Sequence, residues 1–217
     1  MRAYVGYGGT FDPVHCGHVA VAHAVQDRLD VDVHLLPASD PPLKDRTHAE
    51  ARHRLRMLEL AVAGERGLHV DARELGRSGP SYTVDTLSGL RDALGPEVPL
   101  VWVVGADSLV QLHRWHRWKS LFDLGHVLAV GRPGHTLDTD TSAQTAGELE
   151  ARSVSLERLF ERPAGGFAVL DIDPQRPESS TAIRRRIALG DDWRPCVPPA
   201  VAAYIDRHRL YAPVAAA

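Results

Sequence analysis

The stretch Gly8-Gly9-Thr10-Phe11-Asp12-Pro13-Val14-His15-Cys16-Gly17-His18 has the residue types and spacing to hold a phosphate. Gly8 and Gly9 let backbone amides approach an anion without a Cβ in the way. A helix beginning near His15 or Cys16 turns its free N–H groups and positive end toward that anion. His15 and His18 stand three apart, hence side by side on the first turn. Their imidazoles can donate hydrogen bonds to phosphate oxygens, and Gly17 leaves room for a flat ring or a sugar. A metal site is the alternative for such a pair, but no further Cys or His cluster lies nearby to complete four ligands. His113 and His116 repeat the spacing, so the spacing alone carries little. The string is neither the dinucleotide fingerprint nor a P-loop, since it lacks the Gly-Lys-Ser/Thr end.

Other residues can serve the same chemistry. Ser180 and Thr181 open a late helix whose N-terminus also suits a phosphate, and Arg184, one turn in, can reach it as a fixed positive charge. Arg185 and Arg186 read as a solvated face. Lys44 sits on a loop, where a lone lysine is ordinarily just solvated. Asp107, after an apolar strand, can accept from sugar hydroxyls or cap the helix that follows. Trp115 lies just beyond that strand, where its ring can stack on a flat heterocycle, whereas Trp118 reads as core. Cys16 reads as a spacer between the histidines, although a thiol at a helix N-terminus can be activated.

Strands must alternate with helices to bring these residues together. Apolar runs at Arg2–Gly8, Val31–Pro37, Leu68–Ala72, Leu100–Val104, Val127–Val130 and Phe167–Ile172 read as strands. Helical spacing covers Val19–Leu29, Thr47–Ala63 (with Leu55, Met57, Leu58, Leu60 and Ala61 for a buried face), Tyr82–Leu94, Ser179–Leu189 and Pro198–Arg207. Ser81 or Thr83 is the expected cap of the third helix. Thr136–Glu161 is polar and reads as a helix with a mobile lead-in. The alternation predicts an α/β fold with a parallel sheet covered by helices on both faces. Ligands of such sheets bind beyond the carboxyl ends of the strands, so the loops at Gly8, Pro37, Gly105 and Gly131 should converge. The 217 residues suit one domain over 1–217, with a small C-terminal helical part at about 175–211.

Composition bounds the partners. Hydrophobic residues make up 44% and charged residues 24%, enough for a packed core. A net charge of -3 argues against a nucleic-acid surface. No apolar run approaches a membrane span, and the start of the chain does not read as a signal peptide. Two cysteines are too few for a disulfide framework, which leaves a reduced, cytoplasmic protein as the expectation. A homo-oligomer is compatible with all of this.

The Thr-Phe-Asp-Pro turn followed by His-x-Gly-His resembles the nucleotidyltransferase superfamily. The resemblance implies a Rossmann-like, doubly wound parallel sheet, ATP bound at the signature and direct attack on its α-phosphate. Further segments, in order, are similar to bacterial nicotinate mononucleotide adenylyltransferases as far as Tyr211. They are Asp40-Pro41-Pro42-Leu43-Lys44, Gly79-Pro80-Ser81-Tyr82-Thr83, Gly105-Ala106-Asp107-Ser108-Leu109, Trp115, Arg132-Pro133-Gly134 and Ser179-Ser180-Thr181-Ala182-Ile183-Arg184. This implies ATP and nicotinate mononucleotide as substrates, with Mg²⁺ bound mainly through phosphate oxygens and water. It implies catalysis by His15, His18, Lys44 and Arg184. ATP contacts fall on Gly8, Gly9, Thr10, Phe11, His15, His18, Gly105, Asp107, Ser180, Thr181 and Arg184. Acceptor contacts fall on Thr83, Asp107, Trp115, His116 and Arg132, with backbone amides near Thr83 and His116 reading the pyridine carboxylate. Two positions depart from the family pattern: Leu43 replaces a common His, and Glu178 a common apolar residue. Another acceptor, such as nicotinamide mononucleotide or phosphopantetheine, and a non-catalytic nucleotide-binding module are the competing readings.

Overall fold

A computed structural model describes residues 3–39, 47–131, 143–172 and 178–213, apart from the side chains of Asp107, Ala143 and Gln144. Six strands form one sheet in the order β3-β2-β1-β4-β5-β6. They are β1 (Tyr4–Gly9), β2 (Val33–Pro37), β3 (Leu68–Val70), β4 (Leu100–Gly105), β5 (His126–Gly131) and β6 (Phe167–Asp171). Every neighbouring pair is parallel. The chain leaves β1 for β2 and β3 on one side, then crosses to β4 on the other. The switch point therefore lies at the carboxyl ends of β1 and β4, as the alternation predicts.

Side chains alternate across the strands and build two cores. Val5, Tyr7, Val101, Val103, Leu128 and Val130 face α1 (Cys16–Leu29), α2 (Ala51–Val62), α7 (Ser180–Leu189) and α8 (Pro199–His208). Tyr4, Leu100, Trp102, Val104, Val127 and Ala129 face α3 (Thr83–Leu94), α4 (Ala106–Val110), α5 (Leu121–Leu124) and α6 (Ala143–Ala151). The late helices place Ile183, Val201 and Ile205 in the same core as α1 and α2. Among the described residues no helix is long and apolar enough to cross a membrane.

Several boundaries differ from the sequence pattern for identifiable reasons. The second helix starts at Ala51, not Thr47, because the Asp12 carboxylate takes the N–H groups of His48 and Ala49 at 2.7 and 3.1 Å. Its buried face includes Arg54 in place of Leu55 and Leu60, which are only half-buried. Neither Ser81 nor Thr83 caps α3: Tyr82 holds the N-cap position and no side chain caps the helix. Trp115 and Trp118 do not share a helix. Trp115 ends one 3₁₀ turn and Trp118 begins another, with Arg117 between them at φ +50°. Of the polar Thr136–Glu161 segment, Ala143–Ala151 is α-helix and Leu156–Phe160 a 3₁₀ turn, while residues 136–142 lie outside the described ones.

One buried histidine ties β5 to the approach of β6. His126 Nε2 donates to the Arg162 carbonyl at 2.9 Å, and its Nδ1 accepts the Gly166 N–H at 2.8 Å. A doubly protonated ring could not accept that N–H. Burial lowers its pKa below the usual histidine value. The unfolded chain thus takes up the proton first, near pH ~6.5, and stability falls as the pH drops from there toward the lower folded value. We expect His126→Asn to flatten this dependence by up to about 1.4 kcal/mol per pH unit. Urea midpoints at pH 7.5, 6 and 5 check it, and parallel curves for the two proteins would refute it.

Candidate active site

One cavity of about 760 Å³ opens at the switch point. Gly8, Gly9 and Thr10 come to it from the end of β1, Ala38 from β2, Gly105 and Ala106 from β4, and Gly131 from β5. The predicted convergence of strand ends is therefore present. Thr83, Trp115 and His116 line the cavity, as do His15, Gly17, His18, Ser180, Thr181 and Arg184. Glu178 lines it too.

The histidines make the N-terminus of α1 by capping each other. His15 is the N-cap, and its Nδ1 accepts the His18 N–H at 3.3 Å. His18 Nδ1 accepts the His15 N–H at the same distance, forming a reciprocal capping box. The rings stack with centroids 3.6 Å apart. With both Nδ1 atoms accepting, each ring carries its proton on Nε2 and can donate from there. His15 is 7% exposed, and burial pushes its pKa down to about 4. At neutral pH it is an uncharged donor, so the balancing charge in this part of the site comes from arginine.

Arg184 supplies it. Its Nη1 donates to the Asp12 carbonyl at 2.7 Å and its Nη2 to Thr181 Oγ1 at 3.3 Å. Ser180 Oγ donates to the Pro13 carbonyl at 3.0 Å, and Ser179 caps α7 by accepting the Ala182 N–H. The start of α7 is thereby docked on the signature loop, and two helix N-termini line one cavity. Arg185 and Arg186 are exposed, as their sequence context suggests.

Phe11 of the signature is not a cavity residue. Its positive φ of 48° turns the ring into the core, where it meets the His18 ring edge-on at 5.0 Å. The absent Cβ atoms of Gly8 and Gly9 have a second use, which is to make room for rings. A Cβ on Gly8 would stand 2.3 Å from Trp102, and one on Gly9 would stand 2.9 Å from Phe11. Gly105, not Asp107, is the N-cap of α4, so the capping role for Asp107 falls away. The Asp107 side chain, Lys44 and Arg132 lie outside the described residues.

Sequence reasoning missed four residues that hold the site. Trp102 covers Gly6 and Gly8 and lines the cavity. Asp12, besides holding His48 and Ala49, accepts the Tyr211 hydroxyl at 2.8 Å, which ties the end of the chain to the signature. Arg54 is fully buried and donates to four carbonyls: Thr10 at 2.9 Å, Ala38 at 2.6 Å, Ser39 at 3.1 Å and Ala49 at 3.2 Å. Glu74 is buried at the cavity wall. The apolar run Leu100–Val104 put Trp102 in a buried strand and the signature contained Asp12 without giving it a role, whereas no local signal marked Arg54 or Glu74.

Residues 6–186 match the cytidylyltransferase-like family model. The protein named "Probable nicotinate-nucleotide adenylyltransferase" from Stenotrophomonas maltophilia (strain K279a) is 48% identical over 217 residues, covering 97% of each chain. The protein of that name from Laribacter hongkongensis (strain HLHK9) is 46% identical over 97% of this chain and 95% of its own. The fold is that of Plasmodium falciparum nicotinic acid mononucleotide adenylyltransferase complexed with NaAD, with TM-score 0.74, 17% identity, and coverage of 97% of this chain and 98% of that one. Matches of this length and identity make the chain a member of the cytidylyltransferase-like family and, within it, of the nicotinate-nucleotide adenylyltransferases.

Proposed function

We propose that this enzyme transfers the adenylyl group of ATP to nicotinate mononucleotide, releasing pyrophosphate and nicotinate adenine dinucleotide for NAD synthesis. The observation that carries the reading is the cavity's two-ended lining. One end has the stacked histidines and the docked start of α7 with Arg184. The other has the N-terminus of α3, uncapped by any side chain, beside Trp115 and His116. The first suits a triphosphate and the second a pyridine bearing a carboxylate. The His116 ring packs on Tyr82, the N-cap residue of α3, at 4.4 Å, which keeps the two walls of that end together.

An oxygen of the acceptor phosphate attacks the α-phosphorus of ATP. The bond from that phosphorus to the β-phosphate oxygen breaks, and pyrophosphate leaves with the electron pair. The acceptor is already an anion near neutral pH, so no base is needed and no covalent enzyme intermediate forms. The chain's part is to position the two substrates and oppose the developing charge. His15 and His18 donate from Nε2, Arg184 adds a fixed cation, and Lys44 and Arg132 add charge from segments outside the described residues. Asp107 binds ribose hydroxyls. Among the described residues no cluster of three or more His, Cys, Asp or Glu could hold a metal. Magnesium would arrive with ATP, carried by phosphate oxygens and water, and would offset phosphate charge there.

The test compares pyrophosphate release with nicotinate mononucleotide, nicotinamide mononucleotide and phosphopantetheine. A carboxylate at the start of α3 is favoured by up to ~2 kcal/mol, so kcat/KM should favour the acid over the amide by roughly 10- to 30-fold. Equal use of acid and amide would remove the role of the α3 N-terminus. Release with phosphopantetheine alone would overturn the substrate.

A further inference from the structure

The cavity wall below the start of α3 holds a carboxyl that the reaction above does not use. Glu74, in the 3₁₀ turn Arg73–Gly76, is 4% exposed and yet lines the cavity. Thr86, in the first turns of α3, donates from Oγ1 to Glu74 Oε1 at 2.6 Å. Arg77 Nη2 reaches the same hydroxyl at 2.5 Å and lies 3.7 Å from Glu74 Oε1, which offsets the carboxylate's charge. The nearby Ser81 hydroxyl also favours the charged form of Glu74. Ser81 Oγ in turn accepts the Ser39 N–H at 2.9 Å. Ser39 follows β2, and its carbonyl is held by Arg54 at 3.1 Å.

Two hydrogen-bonded sets therefore meet at the start of α3: Thr86 with Glu74 and Arg77, and Ser81 with Ser39, whose carbonyl Arg54 holds. A buried carboxyl is costly unless it is bonded, so a polar network of this kind holds one arrangement of the groups around it. Leu or Met in place of Glu74 would fill the wall but leave Thr86 without its acceptor.

We infer that Glu74 is a positioning residue for the acceptor: by holding Thr86, with Arg77 beside it, it sets the N-terminus of α3 where the pyridine nucleotide binds. This rests on the acceptor assignment above, and the control separates the two. Wild-type turnover of nicotinate mononucleotide tests the assignment, while the variants test Glu74 against that wild type. Glu74→Gln keeps the volume and an acceptor for Thr86 but cannot hold Arg77 in the same way. We expect its KM for nicotinate mononucleotide to rise about 10-fold, with the KM for ATP within about twofold of wild type. Ser81→Ala removes the half-buried hydroxyl beside the start of α3 and should move the same constant in the same direction. The double variant should be no worse than the more affected single one, since both loosen the same helix start. Direct titration with nicotinate mononucleotide should reproduce the shift in affinity. The inference is overturned if both KM values rise together, if only the melting temperature falls, or if the two substitutions multiply independently. Should Glu74→Gln not fold, the Ser81→Ala constants decide alone.

Discussion

Arg54→Met is expected to cost about 3–5 kcal/mol of stability, the most damaging single change away from the substrates. Methionine fills similar space, so the loss is electrostatic and not a cavity. The guanidinium is fully buried, and the carbonyls of Thr10, Ala38, Ser39 and Ala49 would lose their donor together. Each buried acceptor left bare costs about 1–3 kcal/mol, partly relieved by rearrangement. The damage is also local to function. Ala49 is gripped from both sides, its carbonyl by Arg54 and its N–H by Asp12, and Thr10 and Ala38 line the cavity. Arg54→Lys, which offers a point charge without the planar fork, should recover only part of the stability. Urea denaturation measures the loss, and a change below about 1 kcal/mol for Arg54→Met would contradict the role given to those four bonds.

Substitution at His18 is expected to have the largest effect on turnover, and it separates two jobs of one ring. Nδ1 caps α1 by accepting the His15 N–H, whereas Nε2 is the atom proposed to donate to phosphate. His18→Asn places an acceptor near the position of Nδ1 and nothing at Nε2. We expect it to keep stability within about 0.5 kcal/mol while kcat falls by roughly 10²–10³, the usual cost of losing a donor to developing charge. His18→Ala should lose the same activity and, in addition, about 1 kcal/mol of stability from the missing cap. Steady-state kinetics beside thermal melts distinguish the two variants. Wild-type kcat in His18→Asn would take Nε2 out of the mechanism.

Much of this was written locally. The glycines, the histidine pair and the Ser180–Arg184 helix start are short-range patterns whose geometry follows from turn and helix chemistry, and they all line the cavity. The alternation of apolar runs likewise implied the parallel sheet and its switch point. Arg54 was not legible, because Arg52, Arg54 and Arg56 look alike on an amphipathic helix. Only the carbonyls of Thr10, Ala38 and Ser39, brought in from two other loops, make one of them a buried residue. Glu74 was hidden for the same reason, as its partners lie on α3 and the segment before it.

Gly8 marks the border between the two kinds of information. By itself the sequence determined that a backbone without a side chain was needed there, because glycine after a strand is a local statement about steric freedom. What it makes room for is decided across the sheet. Gly6 and Trp102 are paired in register between β1 and β4, and the indole lies over Gly8 as well. Strand pairing at long sequence separation sets that contact, and no local rule encodes it. The same holds for Phe11, where a local motif named the residue but the turn's φ sent its ring into the core. Residue types and short spacings determined the chemistry, and the tertiary structure decided which of those residues line the cavity and which hold the others in place.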